Sequence, residues 1–210
     1  MSDPVVLSFH DSLLHESDLR LLKGRHWLND ALISFWLEYL QHTIFPDQTR
    51  VLCVGPEVTQ LLKMCDPAEV AVVLDPLEAN HKDFILLPVN DNNSAIASGG
   101  SHWSLLVFSR FDFKWYHYDS MRGSNYQHAR SLVQRINRYL ERDAVLVDAT
   151  CTQQDNSYDC GAFVLLNAEH AASAATTGAP LGTNCVPRHR AAEIRQTLAD
   201  VIDALRHQSS

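Results

Sequence analysis

Three side chains, in the order His102, Asp119 and Cys160, could supply a thiol nucleophile, its base and the acid that orients the base. Trp103–Phe108 and Phe113–Tyr118 are short runs rich in aliphatic and aromatic residues. The polar gap Ser109-Arg110-Phe111-Asp112 between them predicts a β-hairpin. With the turn centred between Arg110 and Phe111, His102 and Asp119 fall directly opposite each other on one face, with Cβ atoms about 5 Å apart. An aspartate there accepts the Nδ1 proton, fixes the tautomer and stabilises the imidazolium. A slip of one residue in the register would break this arrangement.

The nucleophile comes from a change in texture. Gln153-Gln154-Asp155-Asn156-Ser157-Tyr158-Asp159 is polar and turn-rich, and Ala162–Ala168 then reads as a buried helix. Cys160 therefore sits at a helix N-terminus, where unpaired amides and the helix dipole favour the thiolate. A nearby imidazolium acts in the same sense. Gly161 permits close approach of a substrate backbone. Gln154 lies six residues before the cysteine. Its amide, together with the Cys160 N–H, can serve as an oxyanion donor where a carboxylate could not.

Other elements must hold these groups. Leu28, Leu32, Ile33, Trp36 and Leu40 recur at helical spacing over about 28–42, with Asn29 or Asp30 as the cap. Asp66-Pro67-Ala68-Glu69 has the form of a capping box with proline in the first turn. Leu132, Val133, Ile136 and Leu140 form one helix stripe, and Ile194, Leu198, Val201, Ile202 and Leu205 form another. Phe84–Val89 and Val145–Val147 are further strands. Asn90–Ser101 reads as a loop running into His102, able to close over a substrate. Residues 171–187 begin as a helix end and become linker-like before a C-terminal helix at 188–207. This mixture predicts an α+β fold in a single domain over 1–210.

The formal net charge of −8, with 17 scattered basic residues, gives no electrostatic footprint for nucleic acid. It suits solubility or a basic protein partner. No apolar run approaches a membrane span, and the N-terminus lacks the pattern of a secretory signal. Five irregularly spaced cysteines suggest free thiols in a reducing compartment, hence a cytoplasmic or nuclear protein. No zinc spacing is present, and no metal or other cofactor is expected. A monomer is expected.

The His-Trp pair at 102–103, Tyr-Asp-Ser at 118–120 and QDNSYDCG at 154–161 resemble the Ulp/sentrin-specific cysteine proteases. In papain-like enzymes, by contrast, the cysteine precedes the histidine. DPVVLSFHDSLL at 3–14, WLND at 27–30, PEVTQ at 56–60 and NDNNSAIASGGSHWSLLV at 90–107 are similar to the deneddylase branch of that family. The resemblance covers about 1–170 and fades beyond it. It implies a papain-like, Ulp-type mixed central sheet flanked by helices. It implies cleavage after the C-terminal Gly-Gly of the neddylation modifier, from lysine isopeptides and from its precursor. It also implies that Trp103 covers the glycine tail, Trp27 supplies a second wall and Asp30 meets a polar or basic group of the tail. The plainer roles are core aromatics for the two tryptophans and a helix cap for Asp30. Two alternatives stand beside the deneddylase: a SUMO or ubiquitin protease of the same family, and a non-catalytic module that binds a ubiquitin-like protein.

Overall fold

The computed structural model describes residues 3–46, 50–94 and 99–208. The chain opens with a hairpin, β1 (Val5–Phe9) and β2 (Ser12–His15), followed by α1 (Glu16–Leu21) and α2 (Asp30–Tyr39). The Asn29 side chain accepts from Leu32 N, which makes Asn29, not Asp30, the cap of α2. α2 then widens into a π turn at Leu40–Ile44. Next come β3 (Val51–Cys53), α3 (Pro56–Met64) with proline in its first turn, and α4 (Val70–Leu74). The Asp66–Glu69 capping box is formed as its residue types require, but it opens a single 3-10 turn ahead of α4. The remaining elements are β4 (Phe84–Asn90), β5 (Trp103–Ser109), β6 (Lys114–Tyr118), α5 (Tyr126–Tyr139), β7 (Val145–Asp148), β8 (Thr150–Cys151), α6 (Cys160–Thr177), β9 (Thr183–Asn184) and α7 (Arg190–Gln208).

Among the described residues, the main sheet has the order β3-β4-β5-β6-β7. Its outer pairs are parallel and its inner pairs antiparallel, so the fold is α+β with a mixed sheet. Every residue of β4 is buried, as expected of a strand covered on both faces. Alternation along the strands divides the core in two. Leu86, Leu105, Val107 and Tyr116 face α2, α6 and α7, while Ile85, Leu106, Phe108 and Trp115 face α3, α4 and α5.

The β5–β6 hairpin turns one residue later than its composition suggested. Ser109 pairs with Lys114 and Leu105 with Tyr118, because Phe113 adopts φ of 50° and belongs to the turn. Continuing this register sets Asp119 opposite Ser104, so His102 and Asp119 are diagonal rather than directly opposed. The slip of two residues preserves the face, since side chains alternate with a period of two. His102 and Asp119 therefore still share a side of the sheet.

Residues 171–187 are not a linker. α6 continues to Thr177 and stops at Gly178, whose φ of 71° suits glycine at a helix end. β9 then pairs in parallel with β8, and Gly182 N donates to the Tyr118 hydroxyl at 2.9 Å. Ala171, Ala172 and Ala174 are buried. Their small side chains allow α6 to pack closely, and that is why the segment looked featureless as sequence.

Candidate active site

His102, at the start of β5, is 3 % exposed, and Asp119, just past β6, is 7 % exposed. His102 Nε2–H donates to Asp119 Oδ1 at 2.7 Å. The orienting contact thus uses Nε2, not the Nδ1 expected from the hairpin geometry. Asp119 also accepts from Met121 N at 2.9 Å and Asn125 N at 3.0 Å. Burial alone would raise its pKa, but these three hydrogen bonds and the imidazolium charge hold the carboxyl below its ordinary value. For His102, burial opposes the charged form. Its interactions with Asp119, the hydrogen bond first, and with the neighbouring Cys160 outweigh it and raise the imidazole to about 9. Nδ1 is buried and has no hydrogen-bond partner. With Nε2 committed to Asp119, Nδ1 is the nitrogen left to act on the Cys160 side.

Cys160 is the first residue of α6 and is 2 % exposed. Burial pushes the Cys53 thiol up to about 12 and Cys151 to about 11, so those two stay protonated. The loop before Cys160 is held by Asn156, a residue the sequence reading passed over. Its Oδ1 accepts from Tyr158 N at 3.1 Å and Asp159 N at 3.0 Å, and its Nδ2 donates to Asp159 Oδ2 at 2.9 Å. An Asx turn of this kind is available to asparagine at that spacing, and it was the available clue.

Gln154 is bound at both ends of its amide. Ser120 Oγ donates to Oε1 at 2.8 Å, and Nε2 donates to Asn156 O at 2.6 Å. One of the two amide hydrogens is therefore engaged, leaving one for an oxyanion. Gln153 Nε2 donates to Asp119 O at 3.0 Å, and Gln154 N donates to Ser120 O at 2.9 Å. These bonds stitch the glutamine loop to the end of β6. Asn125, fully buried and also unforeseen, donates to Val89 O, His102 O and Ser104 Oγ, fixing the backbone beneath the imidazole.

Cys160 and His102 open onto a cleft of about 670 Å³, with Trp27, Asp30 and Trp103 in its lining. Trp27 is 48 % exposed, so it is no core aromatic. Its Nε1 donates to Ser157 O at 2.6 Å, and Trp103 Nε1 donates to Leu28 O at 3.1 Å. Asp30 is exposed at the first turn of α2. The lining carries Asp30, Glu57 and Glu69 and, among the described residues, no lysine or arginine. Gly161 does not admit a substrate: a Cβ there would lie 2.8 Å from Leu28 Cβ, so the glycine lets α6 pack against the Trp27-Leu28 segment.

The loop at 90–101 is pinned at its base. Asp91 accepts from Ser101 N, Ser101 Oγ and His102 N, and Lys63 Nζ donates to Asn90 O and Asn92 O. Gly100 has φ of 90°, and a Cβ there would overlap Asn90 Oδ1, so no other residue fits. The tip at 95–98 lies outside the described residues, and with it the part of the loop expected to close.

The family model for the Ulp1 protease family, C-terminal catalytic domain, matches residues 26–206. The match extends well past 170, where the sequence resemblance was expected to fade. Sentrin-specific protease 8 of Mus musculus is 43% identical over 172 residues, covering 80% of this chain and 77% of the relative. NEDD8-specific protease 1 of Arabidopsis thaliana is 33% identical over 210 residues, covering 98% and 91%. In structure, the chain is similar to the yeast C-terminal Ulp1 protease domain solved in complex with Smt3. That likeness has a TM-score of 0.77 at 21% identity and covers 98% of this chain and 90% of the other.

Proposed function

The chain belongs to the Ulp1 protease family, and on that premise we propose that it is a deneddylase, a cysteine peptidase that cleaves after the C-terminal glycine of NEDD8. Proteases of this family bind ubiquitin-like modifiers and their conjugates. The observation that carries the reading is one constellation. A buried His102–Asp119 bond of 2.7 Å leaves Nδ1 free, and Cys160 bears on the same imidazole in the lining of one cleft.

In this reading the Cys160 thiolate attacks the carbonyl of the last glycine. The remaining Gln154 N–H and the backbone amide of Cys160 hold the oxyanion. His102 passes its Nδ1 proton to the leaving amine, either a lysine Nζ or the amide nitrogen of a precursor extension. The same nitrogen then takes a proton from the water that hydrolyses the thioester, releasing the thiolate beside the recharged imidazolium. Asp119 keeps the ring oriented and supports its charge through both steps. Trp103 and Trp27 flank the path of the tail, which glycine alone can follow between flat aromatic walls. Asp30, Glu57 and Glu69 favour a basic residue upstream of the glycines.

Covalent capture tests the proposal. NEDD8, SUMO and ubiquitin, each carrying a thiol-reactive group at its C-terminus, are mixed with the protein and with Cys160→Ala. Adduct formation with NEDD8 alone, and only when Cys160 is present, is the expected result. Preferential reaction with SUMO or ubiquitin overturns the choice of modifier, and no reaction overturns the enzyme.

A further inference from the structure

We infer that Arg195, on the C-terminal helix, is a positioning residue for the reaction, holding the nucleophile loop and the Trp27 wall of the cleft in one fixed arrangement. This rests on the cysteine-protease reading above. Arg195 is 5 % exposed, in the second turn of α7, and its guanidinium meets four acceptors. Nε donates to Asp159 Oδ1 at 3.1 Å and NH1 to Leu21 O at 3.1 Å, while NH2 donates to His26 O and Tyr158 O, both at 2.9 Å. A further NH2–Asp159 Oδ1 approach of 3.0 Å completes the ion pair.

Those acceptors belong to two segments, each ending at the cleft. Tyr158 and Asp159 immediately precede Cys160, and His26 immediately precedes Trp27. Two further contacts join the same segments: the Trp27–Ser157 hydrogen bond and the packing of Gly161 on Leu28. Arg195 supplies the only ion pair among these ties. A planar guanidinium with five donors can satisfy a carboxylate and three carbonyls at once, which a lysine ammonium with three cannot. The first turn of α6, which presents both the thiol and its backbone N–H, therefore has its position set from the far end of the chain. A displacement of about 1 Å at such a site can reduce a rate about 100-fold. Arg195 touches neither substrate nor thiol, so its effect should fall on kcat.

The test compares wild type with Arg195→Lys and Asp159→Asn, using cleavage of a C-terminally extended NEDD8, thiol alkylation by iodoacetamide and thermal melting. Arg195→Lys should lower kcat about tenfold, change KM by less than about threefold, and slow Cys160 alkylation at neutral pH. Asp159→Asn leaves the three carbonyl partners of Arg195 in place, so it keeps the proposal testable if the lysine variant does not fold. It should lower kcat by a smaller factor, with alkylation slowed in parallel. Melting near the wild-type temperature, with reduced kcat and slowed alkylation, supports positioning. Folded variants with lowered melting temperature but kcat and alkylation within twofold of wild type would reduce Arg195 to a structural tie and overturn the inference. Alkylation needs no modifier, so an incorrect choice of NEDD8 would leave that arm intact and appear only as wild-type failure in the cleavage arm.

Discussion

Two ion pairs, each joined to a residue that lines the cleft, are built for different purposes: His102 itself belongs to one, and Asp159 of the other immediately precedes Cys160. His102–Asp119 joins a titratable base to a carboxylate that accepts three hydrogen bonds, and it leaves one ring nitrogen unpartnered. Arg195–Asp159 joins a permanently charged guanidinium to a carboxylate and directs three further hydrogen bonds to backbone carbonyls. The first pair is incomplete by one bond, which chemistry can use. The second is tied to four acceptors, and a guanidinium held this way fixes geometry without offering a proton. With a titratable proton in one pair and a fixed charge in the other, the proposed base can change state while the loop before Cys160 stays held.

The sharpest way to break this contrast is Asp119→Asn. It keeps the shape but removes the anion that supports the imidazolium, and kcat should fall about 10²–10⁴-fold. The same assay on Arg195→Lys should show a loss closer to tenfold. Equal losses would mean that both pairs only position. Next in size is Gln154→Glu, for which we expect a loss of about 10²–10³-fold in kcat with little change in KM, because a negative charge faces the developing oxyanion. Ser120 Oγ already donates to Oε1, so a glutamate could be held in the same place. Unchanged turnover would then remove Gln154 from the mechanism rather than indicate a moved side chain.

The pairs should also separate by pH. The folded-state pKa of His102 is raised to about 9, above its ordinary 6.5. Its protonation therefore stabilises the fold fully below about pH 6.5, and this contribution is lost as pH rises through about 9. Arg195 stays charged throughout that window. Lys63 acts in the opposite sense, since burial lowers it from 10.5 to about 8 and stability gained from its deprotonation grows above that pH. The clean measurement is thus a difference. Melting temperatures of wild type and His102→Gln, taken at pH 6 and pH 9.5, should show a larger wild-type advantage at pH 6. Deconjugation should decline over the same upper range as the leaving amine loses its proton donor. A constant melting difference at both values would mean that His102 carries no coupled proton.

The movable pair was readable in the sequence and the fixed pair was not. His102, Asp119 and Cys160 stand out because the proposed chemistry calls for particular residue types at strand ends and helix starts. Even a two-residue error in hairpin register kept the right face, since strand side chains alternate. The nitrogen assignment was beyond reach, because whether Nδ1 or Nε2 meets the carboxylate depends on ring orientation and not on spacing. Arg195 sits at an inward position of α7 among Ile194, Leu198 and Ile202, where a charged residue looks like an exposed one out of phase. Its partners lie 36 to 174 residues away along the chain, and no local pattern encodes such contacts. Residues 171–187 misled for a related reason. An alanine-rich helix end and a two-residue strand have weak periodicity, and their order comes from packing against α7 and β8.

The smallest expected effect tests how the two pairs communicate. Asn156 bonds Asp159 Oδ2 through its Nδ2, while its Oδ1 accepts from Tyr158 N and Asp159 N; its own carbonyl takes the Gln154 amide. Asn156→Ala removes an acceptor of the helix-cap kind and should cost about 1 kcal/mol, or about 2–4 °C in melting temperature for a chain of this size. Asn156→Asp retains the acceptor for the two amides but replaces the Nδ2 donor with an oxygen facing the Asp159 carboxylate. If the acceptor matters most, the aspartate variant should melt near wild type and alanine should not. If the tie to Asp159 matters most, both should melt lower, with aspartate the worse because of like-charge repulsion. In that second case the Arg195–Asp159 pair and the Gln154 amide are linked through a single side chain. Combining Asn156→Asp with Arg195→Lys should then give a change in kcat that departs from the product of the separate changes.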